Sequence, residues 1–290
     1  MSRNPGVLFI ILSAACYGAM PLFAKLAYAS GVAPITLLFL RFAFAAPVML
    51  ALVAVRRVRL PRGRELLALV GLGGVVYVAQ ALCYFTALTK APASLVALIL
   101  YLYPVLVALG ATLVFGERFA LVRAGALVLA LGGSALMIGF ARAGSAAGVI
   151  LAVAAAAIYA IYILMGTSVM KRVPPLAAAT VVICSTAVVY GGITAATGPA
   201  WPGTLTGWLS IAALSLVSTV GAIALFFAGL ERVGPTSASI LSTFEPAVAV
   251  ALAVLFLGEA LTPVRMAGGA LVLAAVVITA LGGPSRPASS

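Results

Sequence analysis

Tyr77, Gln80 and Tyr84 stand at i, i+3 and i+7 within one apolar run, so they share a helical face. At an offset of 142 residues the same face carries Thr219, Ala222 and Phe226, with Ser215 and Ser218 on or beside it. Two more runs repeat the theme. Tyr101 and Tyr103 precede Pro104, their counterparts Thr243 and Glu245 precede Pro246, and Ser239 and Ser242 lead toward Glu245. Tyr17, Tyr159 and Tyr162 add rings in two other runs. Such side chains hold a molecule without changing it: rings stack on flat or cationic groups, hydroxyl and amide groups hydrogen-bond, and a carboxylate pairs with a cation or a proton.

Covalent chemistry is not provided for. The chain has no His, no Asp and no GxSxG sequence, which leaves a Ser or Cys nucleophile without a base. Cys16, Cys83 and Cys184 lie far apart in apolar runs without CxxC spacing, and read as packing residues. Neither a metal, a cofactor nor an enzymatic activity is expected, and the absence of a Walker A sequence removes ATP as a direct fuel.

Each candidate also has a plain structural reading. Tyrosines fill space between Ala-rich helices or sit at membrane interfaces, and Ser hydroxyls bond their own helix. Proline frees a carbonyl one turn earlier, so Pro104 and Pro246 are expected as hinges covered by protein or by a wet cavity. Glu245 falls near the middle of its run, where an ionised carboxylate costs roughly 2.5–3.5 kcal/mol on insertion scales. It either braces the Pro246 kink or ionises when water or a cationic amino group arrives.

The elements that must position these groups are membrane spans. Apolar residues make up 65% of the 290 positions and charged residues 8%, too few to clothe a water-soluble surface, and the mean hydropathy is +1.28. A bilayer core of ~30 Å needs roughly 20 helical residues. Cutting at charged and Pro/Gly-rich breaks predicts ten spans: 6–28, 34–55, 66–88, 93–115, 121–140, 147–169, 175–196, 207–229, 235–257 and 263–282. The first is too long for a signal-peptide core and is expected to be retained. Lys25 and Arg41, near the ends of the first two spans, are expected to snorkel to the headgroups; facing inward, either could attract a carboxylate.

The 142-residue offset is an internal repeat, in which Phe85 meets Phe227, Pro104 meets Pro246, Tyr17 meets Tyr159 and Gly116-Glu117 meets Gly258-Glu259. With only five acidic residues in the chain, a Glu–Glu coincidence is informative. It predicts an all-α membrane protein of two five-helix repeats, 1–146 and 147–290, within one domain. Five spans per repeat is an odd number, so the second copy runs through the membrane in the opposite sense. Gly116 and Gly258 are expected to end helices in the left-handed conformation, with each Glu near the positive start of the next helix. Gly132-Gly133 and Gly268-Gly269 suit either a dimer or close packing within the bundle.

The paired Pro104 and Pro246, each about twelve residues before Gly-Glu, followed by a Gly/Ala-rich last helix, resemble the drug/metabolite transporter superfamily and its EamA-like branch, over nearly the whole chain. Within that branch the chain is similar to YddG-type exporters of aromatic amino acids. The resemblance implies a secondary transporter with a central cavity opened alternately to either face. Small amino-acid-like metabolites would be its cargo; threonine, homoserine and cationic drugs are the alternatives within the branch. Protons are a candidate coupling ion, lipid is the surrounding partner, and a monomer or a homodimer fits equally. A channel or an intramembrane enzyme would be the rival classes.

The net charge of +12 points to membrane topology and not to nucleic acid. With the N-terminus inside, Lys90, Arg142 and Arg265 fall outside, Lys25 and Arg41 fall within spans, and the other 12 of the 17 basic residues fall in inner segments. Both termini are therefore expected in the cytoplasm of a bacterial-type inner membrane. Single cysteines replacing Pro61 and Gly203, in a background without native cysteine, should label from inside and from outside respectively. The reverse pattern would overturn the orientation.

Overall fold

The structure is a computed structural model that describes residues 5–88, 90, 91, 93–117, 121–139, 145–257 and 261–281. Gly258 and Glu259 of the expected second Gly-Glu pair lie outside the described residues. Among the described residues, ten helices are long and apolar enough to cross a membrane. In order they are Pro5–Tyr28, Pro34–Val55, Arg64–Ala87, Leu95–Phe115, Leu121–Ile138, Ala146–Met170, Pro175–Thr197, Leu205–Val233, Pro235–Phe256 and Pro263–Leu281, called spans 1 to 10 below. Local sequence explains their limits. Prolines open spans 2 and 7, where a missing N–H costs nothing, and Gly116, at φ +64°, ends span 4 in the left-handed conformation expected of it.

The spans pack as the inverted repeat requires. Span 5 lies on span 10, span 2 on span 7, span 1 on span 8 and span 3 on span 6. Exchanging the repeats maps the first two pairs onto themselves and the last two onto each other, so the bundle has an approximate two-fold relation between its halves. At the span 5–10 crossing a Cβ on Gly133 would stand 2.6 Å from the Gly268 carbonyl oxygen, and one on Gly268 would stand 2.7 Å from that of Gly133. These two glycines bring the backbones together inside the bundle. Gly132, by contrast, faces open space.

Three spans are interrupted. Span 4 breaks between Ala93–Leu100 and Tyr103–Phe115, and span 9 between Pro235–Ser242 and Glu245–Leu257. The two breaks coincide at the repeat offset, with Pro104 and Pro246 each in the first turn of the second half. Span 1, expected to be continuous, also breaks, between Pro5–Gly18 and Met20–Tyr28, because Pro21 supplies no N–H to the turn before it. Spans 3 and 8 each contain a wide π turn, Leu72–Tyr77 and Leu216–Gly221, displaced by two residues from the repeat register.

Packing is uneven along the bundle axis. Every residue of Pro235–Ser242 is buried, whereas in the second half of span 9 only Pro246 is buried among the described residues. Span 4 is the reverse: Tyr103, Pro104, Val107, Ala108 and Ala111 are buried in its second half, but only Val96 among the described residues of its first. Because the two spans run in opposite directions, the tight halves share one end of the bundle. There the buried Glu117 Oε2 accepts a hydrogen bond from Thr236 Oγ1 at 2.6 Å. The Glu117 carboxylate thus binds the first turn of span 9; residues 118–120, which lead from it to the next helix, lie outside the described residues.

Adding one methyl at Gly133 should cost about 1–3 kcal/mol of stability through overpacking. Gly133→Ala is therefore expected to unfold at lower temperature in detergent, while Gly132→Ala, which meets nothing, should match wild type. Equal behaviour of the two would mean that the span 5–10 contact is not as close as described.

Candidate functional site

The tyrosines singled out in spans 3, 4 and 6 converge where span 4 breaks. Ring centroids lie 5.5 Å apart for Tyr77–Tyr162, 6.0 Å for Tyr159–Tyr162, 4.7 Å for Tyr103–Tyr159 and 6.3 Å for Tyr101–Tyr103. Tyr159 and Tyr162 reach this cluster from one helical face, and the break of span 4 turns Tyr101 and Tyr103 toward them. Buried Ala152, Ala155, Ala156 and Ala160 keep span 6 slim enough for its neighbours to approach. Tyr77, Tyr101, Tyr103 and Tyr162 are buried and Tyr159 is half-buried, so the rings largely fill the space between the spans with one another.

Glu245 opens the second half of span 9, and the positive end of that half-helix favours a negative charge there. A Cβ on Gly18 would stand 2.7 Å from the Glu245 carbonyl oxygen, so the breaks of spans 1 and 9 cross at this point. Tyr17, Tyr84, Tyr101, Tyr103 and Tyr159 all lie within electrostatic reach of Glu245. Glu245, Tyr17 and Tyr159 are each half-buried.

Other expected residues are placed differently. Tyr84 pairs with Phe85 at 5.5 Å and packs beside Ala87, Val96 and Ala152, apart from the main cluster, while Gln80 is half-buried between Tyr84 and Tyr77 along the same face. Thr219 is wholly buried and engaged by Arg41. Ser239 donates to Thr236 O at 2.9 Å within its own helix, the plain reading given above, and its carbonyl accepts from Tyr103 Oη at 3.4 Å. Ser242 is buried next to the break.

Arg41 corrects the sequence expectation, whereas Lys25 is exposed as expected. Arg41 is only 4% exposed and turns into the bundle, where Nε donates to Thr219 Oγ1 at 2.6 Å and Nη2 to Ser218 O at 2.8 Å. Phe42 and Tyr190 were not foreseen either. Phe42 extends the ring chain to Tyr77 at 5.6 Å and stacks on Tyr190 at 6.1 Å; the Tyr190 hydroxyl is buried without a hydrogen-bond partner among the described residues. The sequence carries no signal that separates an inward Arg41 from a snorkelling one; its contacts with span 8 decide it. A groove of about 1210 Å³ lies elsewhere, at the turn from span 2 to span 3, lined by Leu50, Leu60 and Leu66 with Arg57, Arg59 and Arg62 and by none of the clustered tyrosines.

Ten apolar helices in two inverted sets, with broken helices meeting at mid-depth beside aromatic and charged groups, define a multi-pass membrane transporter. The EamA-like transporter family matches residues 4–139 and again 146–281, two copies separated by the same 142 residues as the repeat. The chain belongs to that family. It is 33% identical over 132 residues to the uncharacterized transporter YwfM of Bacillus subtilis (strain 168), a match that spans 46% of this chain and 45% of that protein. The crystal structure of another protein superposes with a TM-score of 0.85 at 24% identity, covering 97% of this chain and 99% of the other, and so shares the fold.

Thr236→Val removes the hydroxyl that the buried Glu117 carboxylate accepts from, and should cost about 1–3 kcal/mol in thermal unfolding. Ser239→Ala, which removes only an own-helix bond, should cost less. The opposite ranking would show that the Glu117 contact does not hold the tight end together.

Proposed function

We propose that this chain is a secondary transporter of the bacterial-type inner membrane, with both termini cytoplasmic, that exports small amino-acid-like metabolites, aromatic amino acids before others. The observation that carries the reading is the chain of tyrosine rings from spans 3, 4 and 6 lying beside Glu245 at the break of span 9. Tyr17, Tyr77, Gln80, Tyr84, Tyr101, Tyr159, Tyr162, Ser242 and Glu245 bind cargo, and Thr219 and Ser239 support them. A flat side chain replaces ring–ring contacts worth about 0.5–1.5 kcal/mol each with equivalent contacts of its own, and its ammonium pairs with Glu245.

Uneven packing supports alternating access, with Pro104 and Pro246 as hinges. The end closed by Glu117 and Thr236 is the cytoplasmic one if the basic loops lie inside, which leaves the loosely packed end facing outward. The repeat offset pairs Glu117 with Glu259 and Thr236 with Ser94, so the same two side-chain types recur in the sequence for the opposite end. Glu245 is also the group through which a proton would couple.

Counterflow in proteoliposomes tests the reading, with radiolabelled phenylalanine, tyrosine and tryptophan set against threonine, homoserine and a cationic drug. Saturable flux stimulated by substrate on the far side, strongest for the aromatic amino acids, is expected. Flux that rises linearly would indicate a channel, and a stronger response to another cargo would replace the substrate assigned. Glu245→Gln should fold normally and lose both the pH dependence of transport and the preference for amine-bearing cargo. An unaltered pH profile and amine affinity would leave Glu245 a bracing role alone.

A further inference from the structure

We infer that Arg41 recognises the carboxylate of the cargo, so that the site reads both charges of a zwitterion; this rests on the amino-acid-like cargo proposed above. An arginine within a membrane span is costly to bury and needs an acceptor for each of its donors. Arg41 satisfies Nε and Nη2 on Thr219 Oγ1 and Ser218 O, which the π turn of span 8 presents. Among the described residues the hydrogen-bond acceptor at Nη1 is the thioether of Met20, at 3.1 Å, a weak acceptor, while the Phe42 ring lies 5.1 Å from the guanidinium carbon. Among the described residues no carboxylate forms an ion pair with Arg41. One edge of the guanidinium is therefore fixed on span 8, while the other has the paired N–H geometry that fits a carboxylate and faces a side chain that moves easily.

The position of that edge relates it to Glu245. Met20 begins the second half of span 1 and touches Arg41, and Gly18 ends the first half and touches the Glu245 backbone. Arg41 and Glu245 thus flank the same break from two sides, with Tyr17 just before it, and the two charges lie within electrostatic reach of each other. A ligand with its ammonium at Glu245 and its ring among the tyrosines extends its carboxylate along this break toward Arg41, displacing Met20. Compounds with a ring and an amine but no carboxylate lack the second contact.

Counterflow by the full chain in proteoliposomes separates the alternatives, using phenylalanine and phenethylamine, which share ring and ammonium and differ in the carboxylate. Wild type should favour phenylalanine. Arg41→Lys and Arg41→Gln should lower kcat/KM for phenylalanine about 10–100-fold, the loss of a charge-assisted contact, and leave phenethylamine nearly unchanged. Met20→Gln leaves both bonds to span 8 in place but offers Nη1 an amide oxygen, and should weaken phenylalanine selectively; it keeps the test decisive if the Arg41 variants fail to fold. Equal loss for both compounds in folded protein would make Arg41 a clamp on span 8 and overturn the inference. Wild-type preference for phenethylamine would overturn it while leaving aromatic transport intact. Transport of neither compound would remove the proposed cargo and the inference together.

Discussion

Lipid offers no hydrogen bond, so wherever a helix in this bundle loses its regular ladder, protein must cover the exposed backbone. The interruptions of spans 1, 4 and 9 and the π turns of spans 3 and 8 are accordingly gathered at the centre of the fold. Polar side chains reach across to backbone oxygens there: Ser218 to Cys16, Ser215 to Arg41, Thr186 to Gly73 and Ser13 to Ala222. The centre is polar because the backbone is broken there, and breaks are tolerated because the centre is shielded.

The inverted repeat supplies each contact twice, and the chain fills the two copies differently. Span 3 crosses span 7 where a Cβ on Gly73 would lie 2.3 Å from Ser185 Oγ, so the crossing depends on a missing side chain. The equivalent crossing of span 8 with span 2 has Ser215 in place of Gly73 and Arg41 in place of Ile183. One copy is tight and carries only neutral hydroxyl groups, the other carries a buried cation. The same divergence sets Tyr101 against Thr243 and Tyr103 against Glu245. Aromatic rings and charged groups are interleaved: Arg41 lies over the Phe42 ring at 5.1 Å, and Phe42 meets Tyr77 at 5.6 Å.

Asymmetry extends along the bundle axis. Two sequence-related broken spans inserted in opposite directions are packed closely at one common end and loosely at the other. Side-chain contacts thus differ between the two ends although the spans are related by the repeat. Glu117 and Thr236 make that difference visible at the closed end.

The amino-acid sequence by itself determined the membrane solvent, the ten spans, the repeat offset and its inversion, because hydropathy, span length and the parity of five act locally or by counting. It also marked Tyr77, Tyr101, Tyr159, Tyr162 and Glu245, whose types are conspicuous in an apolar chain, and the breaks at Pro104 and Pro246, since proline acts within its own turn. The break at Pro21 was open to the same argument. Tertiary structure alone decided the rest. Whether Arg41 snorkels or turns inward depends on span 8 presenting Ser218 O, and that carbonyl is oriented by a π turn with no sequence signature. Which serines bond a neighbouring span and which bond their own helix, and which partner Glu117 takes, depend likewise on the rotation and crossing of neighbouring spans, set by pairs such as Gly133 and Gly268 far along the chain from each other.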